Sequence, residues 1–138
     1  MLANRSMPQA TVIPELAYAD VGEAIDWLCD TFGFKERLRI ANHRAQLVFG
    51  NGAVVVTQRP AGQGFAADLA SHSVHVRVAD VDLHYEHARR RGAKILQPPE
   101  RYPFGERQYT VEDSGGHRWT FSQSVADVAP EEWGGQVR

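Results

Sequence analysis

The chain has 138 residues with 17 acidic and 15 basic side chains, so its formal net charge of −2 leaves no electrostatic footprint for nucleic acid. Hydrophobic residues at 43% and charged residues at 23% are ordinary for a globular protein, and the length suits one domain with a real core. A single cysteine, Cys29, excludes an internal disulfide, and no apolar run reaches membrane-spanning length.

Residues 1–10 read as a lead. Pro14 and Glu15 interrupt the apolar run from Val12, so no secretory core forms and the cytoplasm is the expected location. Thr11 to Ala19 reads as a strand. Asp20 then caps a helix, with Glu23 three residues on as its capping-box partner. Val21, Ala24, Ile25, Leu28 and Phe32 share one helical stripe, and Gly33 ends it. Cys29 on the inner part of this helix is expected to be an inert buried thiol. Phe34 to Ala41 and Arg44 to Phe49 read as strands, and Gly50-Asn51-Gly52 turns the chain into Val54-Val55-Val56.

Residues 59–70, with Pro60, Gly62 and Gly64, read as a linker. Ser73 to Val78 is then a strand and Asp80 a second cap. Val81, Tyr85 and Ala88 form the stripe, and Gly92 stops the helix after the basic run Arg89-Arg90-Arg91, which suits a helix C-terminus. Lys94 to Gln97 is a short strand, followed by a loop through Pro98-Pro99, Pro103 and Gly105. Arg107 to Glu112 and His117 to Gln123 form a hairpin about Asp113-Ser114-Gly115-Gly116. Residues 124–138 form a tail whose Trp133 is expected to dock on its own domain or on a neighbour.

The order repeats. Ala19-Asp20-Val21 returns as Ala79-Asp80-Val81, 60 residues later. The chain is thus an α+β protein of two β-α-β-β-β modules, 11–58 and 71–123. Such halves are expected to pair about a pseudo-twofold axis into a half-open barrel with a central cleft.

Three features carry a family resemblance: the paired Asp-Val helix starts, Ala-Arg-x-x-Gly-Ala at 88–93, and Asp-x-x-Gly-His at 113–117. On these the chain resembles the vicinal oxygen chelate superfamily of glyoxalases, bleomycin-resistance proteins and extradiol dioxygenases. Gly105-Glu106-Arg107 followed by Asp113 and Gly116-His117-x-Trp119 is similar to the PhnB-like branch, although Ser114 stands where that branch has proline. The resemblance implies two curved half-barrels around a cleft, and a homodimer. It also implies a divalent metal held by side chains on the first and last strands of each module, with open positions for two substrate oxygens. The matching positions here are Ile13, Ser73, Thr120 and Val56, which do not make a catalytic metal site.

Side chains two apart on a strand share a face, so Glu15 stands beside Ile13, and His75 and Arg77 beside Ser73. Glu15 and His75 could hold a displaced metal, or they could simply hydrogen-bond in a polar cleft. His72 is of the other parity and is expected to face away. Arg77 could grip an anionic ligand bidentately or pair with Glu15. Arg118, Thr120 and Ser122 share a face; Trp119 and Phe121 belong to the core. Tyr109 is a further ligand-lining candidate. Glu106 and Arg107 either fix their loop or touch ligand. Three readings follow. The first is a cofactor-free protein binding a small molecule through Glu15, Ser73, His75, Arg77, Tyr109, Arg118 and Thr120. The second is a lyase, isomerase or dioxygenase with a metal displaced to Glu15 and His75. The third is a metal-free enzyme with His75 as acid or base, oriented by Glu15. The missing ligands favour the first. No nucleic-acid or membrane partner is expected.

Overall fold

The computed structural model describes residues 2–60 and 71–138. The chain divides into two compact units, Met1–Ala67 and Asp68–Arg138. The expected linker, 59–70, lies almost wholly outside the described residues.

The first unit runs β1 (Glu15–Tyr18), α1 (Val21–Phe32), β2 (Lys35–Ile40), β3 (Arg44–Phe49) and β4 (Gly52–Gln58). Its sheet has the order β1-β4-β3-β2, with β1 parallel to β4 and the other pairs antiparallel. Helix α1 begins as its sequence dictates: the Asp20 carboxylate accepts from the Glu23 amide at 3.0 Å, satisfying one orphan N–H of the first turn. It ends at Gly33, whose φ of 90° is a left-handed conformation open to glycine at little cost. Val21, Ala24, Ile25, Leu28 and Phe32 are all buried, as the stripe requires. They pack with Leu16, Tyr18, Ala45, Leu47, Val54 and Val56, the inward-facing residues of the sheet. Burial of each large side chain contributes about 1.5–3 kcal/mol. Strand β1 is shorter than the expected Thr11–Ala19. Its pairing with β4 starts at Glu15, although the Pro14 carbonyl still accepts from Val55 N at 2.8 Å.

The second unit repeats the order: β5 (Val74–Arg77), α2 (Val81–Arg90), β6 (Lys94–Arg101), β7 (Glu106–Glu112) and β8 (Arg118–Ser124), in a sheet β5-β8-β7-β6. Asp80 caps α2 through the Leu83 amide at 3.1 Å. Two four-stranded sheets, each with one helix, make the α+β architecture expected from the repeat. Strand β6 departs from expectation, because it continues through Pro98-Pro99 where a loop was expected. It is an edge strand, where a missing N–H is tolerated, and its pairing with β7 shifts register between Ile95 and Gln97 and again between Gln97 and Glu100. Trp119, Phe121, Tyr109 and Val111 fill the space between this sheet and Val81 and Ala88 of α2; all are fully buried.

Two local devices close the second unit. The Asp113 carboxylate accepts from Gly115 N, His117 N and Trp119 Nε1, each at 2.9 Å, and so holds the β7–β8 turn. Beyond β8 the tail is clasped by the Gly105 carbonyl, which accepts from Val125 N at 2.8 Å and Ala126 N at 3.2 Å. Trp133, in a 3-10 turn over Pro130–Trp133, meets Phe104 edge-on at 5.5 Å, so this tryptophan docks on its own unit.

Candidate functional site

Alternation along β5 and β8 sorts the second sheet into two chemical faces. Val74 and Val76 pair with Trp119 and Phe121 on the helix side. His75 pairs with Thr120, and Arg77 with Ser122, on the far side. Strand β7 extends this polar row: Thr110 lies opposite Thr120, Gln108 opposite Ser122, and Glu106 opposite Ser124.

Glu106 is the hub of the far face. One of its oxygens, Oε1, accepts from the Ser122 hydroxyl in a short hydrogen bond and from Gln108 Nε2 at 3.1 Å. His75 Nε2 lies 3.4 Å from the same oxygen. These donors hold the carboxyl below the usual carboxylate range. Ser122 contributes most, against the opposing push of burial, and Gln108 and His75 add to it. Ser122 is itself buried, at 1% exposure, so the cluster is rooted in the sheet. Next to it Arg77 Nη2 donates to Ser124 Oγ at 3.0 Å, and the rest of the exposed guanidinium is uncommitted among the described residues. Further along, Ser71, His72, Ser73, Thr110, Arg118 and Thr120 line an open hollow of about 330 Å³. The Thr110 and Thr120 hydroxyls are 3.5 Å apart there.

Several expected site residues therefore fall together: Ser73, His75, Arg77, Arg118 and Thr120 all belong to this far face or its hollow. Tyr109 does not. It is fully buried on the helix side, its hydroxyl 2.6 Å from His84 Nδ1 and its ring stacked on Phe121, and burial pushes its ionisation well above the usual range. Its pairing with core residue Phe121 puts it there. His72 was expected to face away, yet it lines the hollow, because it precedes β5 and is free of strand alternation. Glu15 pairs with Arg44 of its own sheet at 2.9 Å. Within the second unit the carboxylate beside His75 is Glu106, at 3.4 Å. Its neighbour Arg107 points elsewhere and forks onto Asp82 of α2 at 3.0 Å. Gln108 and Thr110 were not anticipated; counting alternate residues back from Glu112 finds them.

The positions at which the resemblance puts metal ligands carry hydroxyls and hydrocarbon. Ser73 and Thr120 stand in the hollow. In the first unit the residue opposite Glu15, as Thr120 is opposite His75, is Val55. Val56, the expected counterpart, pairs with Leu16 and is buried under α1. Among the described residues no three His, Cys, Asp or Glu side chains come together to hold a metal ion. This donor set does not fit a divalent metal.

On the first sheet, Gln46 and Arg37 hold the lead of the chain itself. Gln46 Nε2 donates to the Ser6 carbonyl at 2.8 Å, and Arg37 bridges the Gln46 amide oxygen at 2.6 Å and the Arg5 carbonyl at 2.9 Å. Among the described residues, no helix is long and apolar enough to cross a membrane.

Comparison with known proteins adds four findings. The family model for the Glyoxalase/Bleomycin resistance protein/Dioxygenase superfamily matches residues 10–121. Among solved structures, TioX from Micromonospora sp. ML1 is similar at 38% identity and a TM-score of 0.69, over 83% of this chain and 98% of that one. Lactoylglutathione lyase from Agrobacterium tumefaciens shares the fold at 16% identity and a TM-score of 0.64, over 86% and 96%. By sequence, the uncharacterized protein Mb0911c of Mycobacterium bovis is 28% identical, over 86% of each chain.

Proposed function

The chain belongs to the Glyoxalase/Bleomycin resistance protein/Dioxygenase superfamily, and on that premise we propose that it binds a small molecule without the superfamily's usual metal. The observation that carries this reading is the chemistry at the metal positions, Ser73 and Thr120 in the second unit and Val55 in the first, none of which offers imidazole or carboxylate. The polar far face of the second sheet supplies what a binding protein needs. Arg77 and Arg118 offer guanidinium donors, His75 and Glu106 a coupled pair, and Ser73 and Thr120 hydroxyls. Glu15, held by Arg44, belongs to the first sheet and plays the lesser part. In this reading the protein acts as a cytoplasmic homodimer, and Gly105-Glu106-Arg107 with the Asp113 turn marks kinship to the PhnB-like branch.

One observation favours a second reading, metal-free acid–base catalysis. The 3.4 Å approach of Glu106 to His75 Nε2 would fix the ring and leave Nδ1 to face a substrate. It predicts a pH-dependent activity abolished in His75→Ala with no metal present.

Elemental analysis of the purified protein, before and after incubation with Zn, Mn, Ni and Fe(II), tests the main reading. Less than about a tenth of an equivalent in every case is expected from so poor a donor set. Close to one equivalent, lost in His75→Ala or Glu15→Ala, would overturn it.

A further inference from the structure

Every side chain around the hollow at Ser71, His72, Ser73, Thr110, Arg118 and Thr120 can donate a hydrogen bond, and none is a carboxylate. Arg118 is directly opposite Glu112 on the neighbouring strand, yet Glu112 turns to Lys94 at 3.5 Å. Among the described residues the exposed Arg118 guanidinium forms no ion pair, so its fork of donors is available. Thr110 and Thr120 can satisfy only one donor between them at 3.5 Å, which leaves the second hydroxyl proton for a ligand. Ser73 and Thr120 add hydroxyls with no carboxylate beside them, and the hollow is rimmed by donors and a fixed positive charge. A cation would be repelled and an anion drawn in.

We propose that this hollow binds a tetrahedral oxyanion, a phosphate or sulfate group, either free or carried on a small molecule. The proposal rests on the metal-free reading above and names the ligand chemistry of the same face. A carboxylate presents two oxygens, too few for four hydroxyls, an imidazole and a guanidinium; a phosphoryl group presents three or more. The volume of about 330 Å³ holds such a group and a modest organic remainder.

The test is a titration of the intact protein with inorganic phosphate, followed through the backbone amide signals of Thr110 and Thr120 by NMR. Saturable shifts are expected. Arg118→Gln should weaken phosphate binding at least tenfold, about 1.4 kcal/mol, and Thr120→Val should weaken it severalfold. Arg89→Gln, which removes the same charge from the exposed face of α2, should leave affinity unchanged. Acetate should bind at least fivefold more weakly than phosphate. Glycerol 3-phosphate binding more tightly than phosphate assigns the oxyanion to a phosphoryl ester, and equal affinity assigns it to the free ion. Absence of saturable shifts, no loss in Arg118→Gln, an equal loss in Arg89→Gln, or acetate as tight as phosphate each overturns the proposal. Metal content is measured on the same sample. A metal-free protein that ignores phosphate sinks this proposal alone, whereas a stoichiometric metal sinks the reading beneath it.

Discussion

The indole nitrogen of Trp119 donates to the buried carboxylate of Asp113 at 2.9 Å, across the turn that joins β7 to β8. The other oxygen of that carboxylate holds the amides of Gly115 and His117. One side chain thus sets the turn and fixes the largest aromatic residue of the core. Asp113→Asn keeps the shape but replaces one acceptor oxygen with an NH₂ group that faces a donor. A loss of about 2–4 kcal/mol is expected, from weakened charge-assisted bonds and an unsatisfied donor. The midpoint of urea unfolding checks it, and a change under about 0.5 kcal/mol, the usual range for surface substitutions, would contradict the assignment.

Ser122→Ala removes the largest influence holding Glu106 below the usual carboxylate range. A depressed folded-state pKa contributes stability that is present above the unfolded value, about 4.3 for Glu. That contribution disappears as pH falls through the folded value. The variant should therefore lose stability at neutral pH, by about 1–2 kcal/mol, and progressively less as pH falls through the folded value, where wild type loses the contribution too. NMR titration of the Glu106 side-chain carbonyl should show its midpoint moving up in Ser122→Ala. An unchanged midpoint would mean that the hydroxyl does not govern this carboxylate.

Gly105 has a φ of 86°, and a Cβ built on it would come within 2.2 Å of the Ala126 carbonyl oxygen. Neither the backbone strain nor the clash can be relieved while residues 125 and 126 stay bonded to it. Gly105→Ala is expected to free the tail at a cost of about 1–3 kcal/mol. Cleavage after residue 124 under limited proteolysis should accelerate, and the fluorescence of Trp133 should shift to the red as it leaves Phe104. If both stay as in wild type, the clasp at Gly105 does not hold the tail.

What could be read from sequence was local. Asp20, Asp80 and Gly33 announce helix ends because capping is settled within four residues. The burial of Trp119 and Phe121 followed from simple alternation. The errors arose where distant segments decide. Tyr109 was placed among ligand contacts because its facing depends on the hairpin register, which pairs it with Phe121. Counting forward from each hairpin glycine matches Val56 to Thr120. The two turns differ by one residue, so the true match is Val55, and one residue on a strand reverses the face. The approach of Glu106 to His75 likewise depends on strand order, which puts both in one sheet.

The strands that repeat so closely in order have parted company in chemistry. With Arg5 and Ser6 bonded to Arg37 and Gln46, the first sheet already holds a peptide of its own chain as a resident ligand. A visiting molecule at Arg37 and Gln46 would compete with an intramolecular rival whose effective concentration is on the order of millimolar. Among the described residues no such backbone segment is bonded to the polar row of the second sheet, so strands laid out on one plan differ in what their side chains hold.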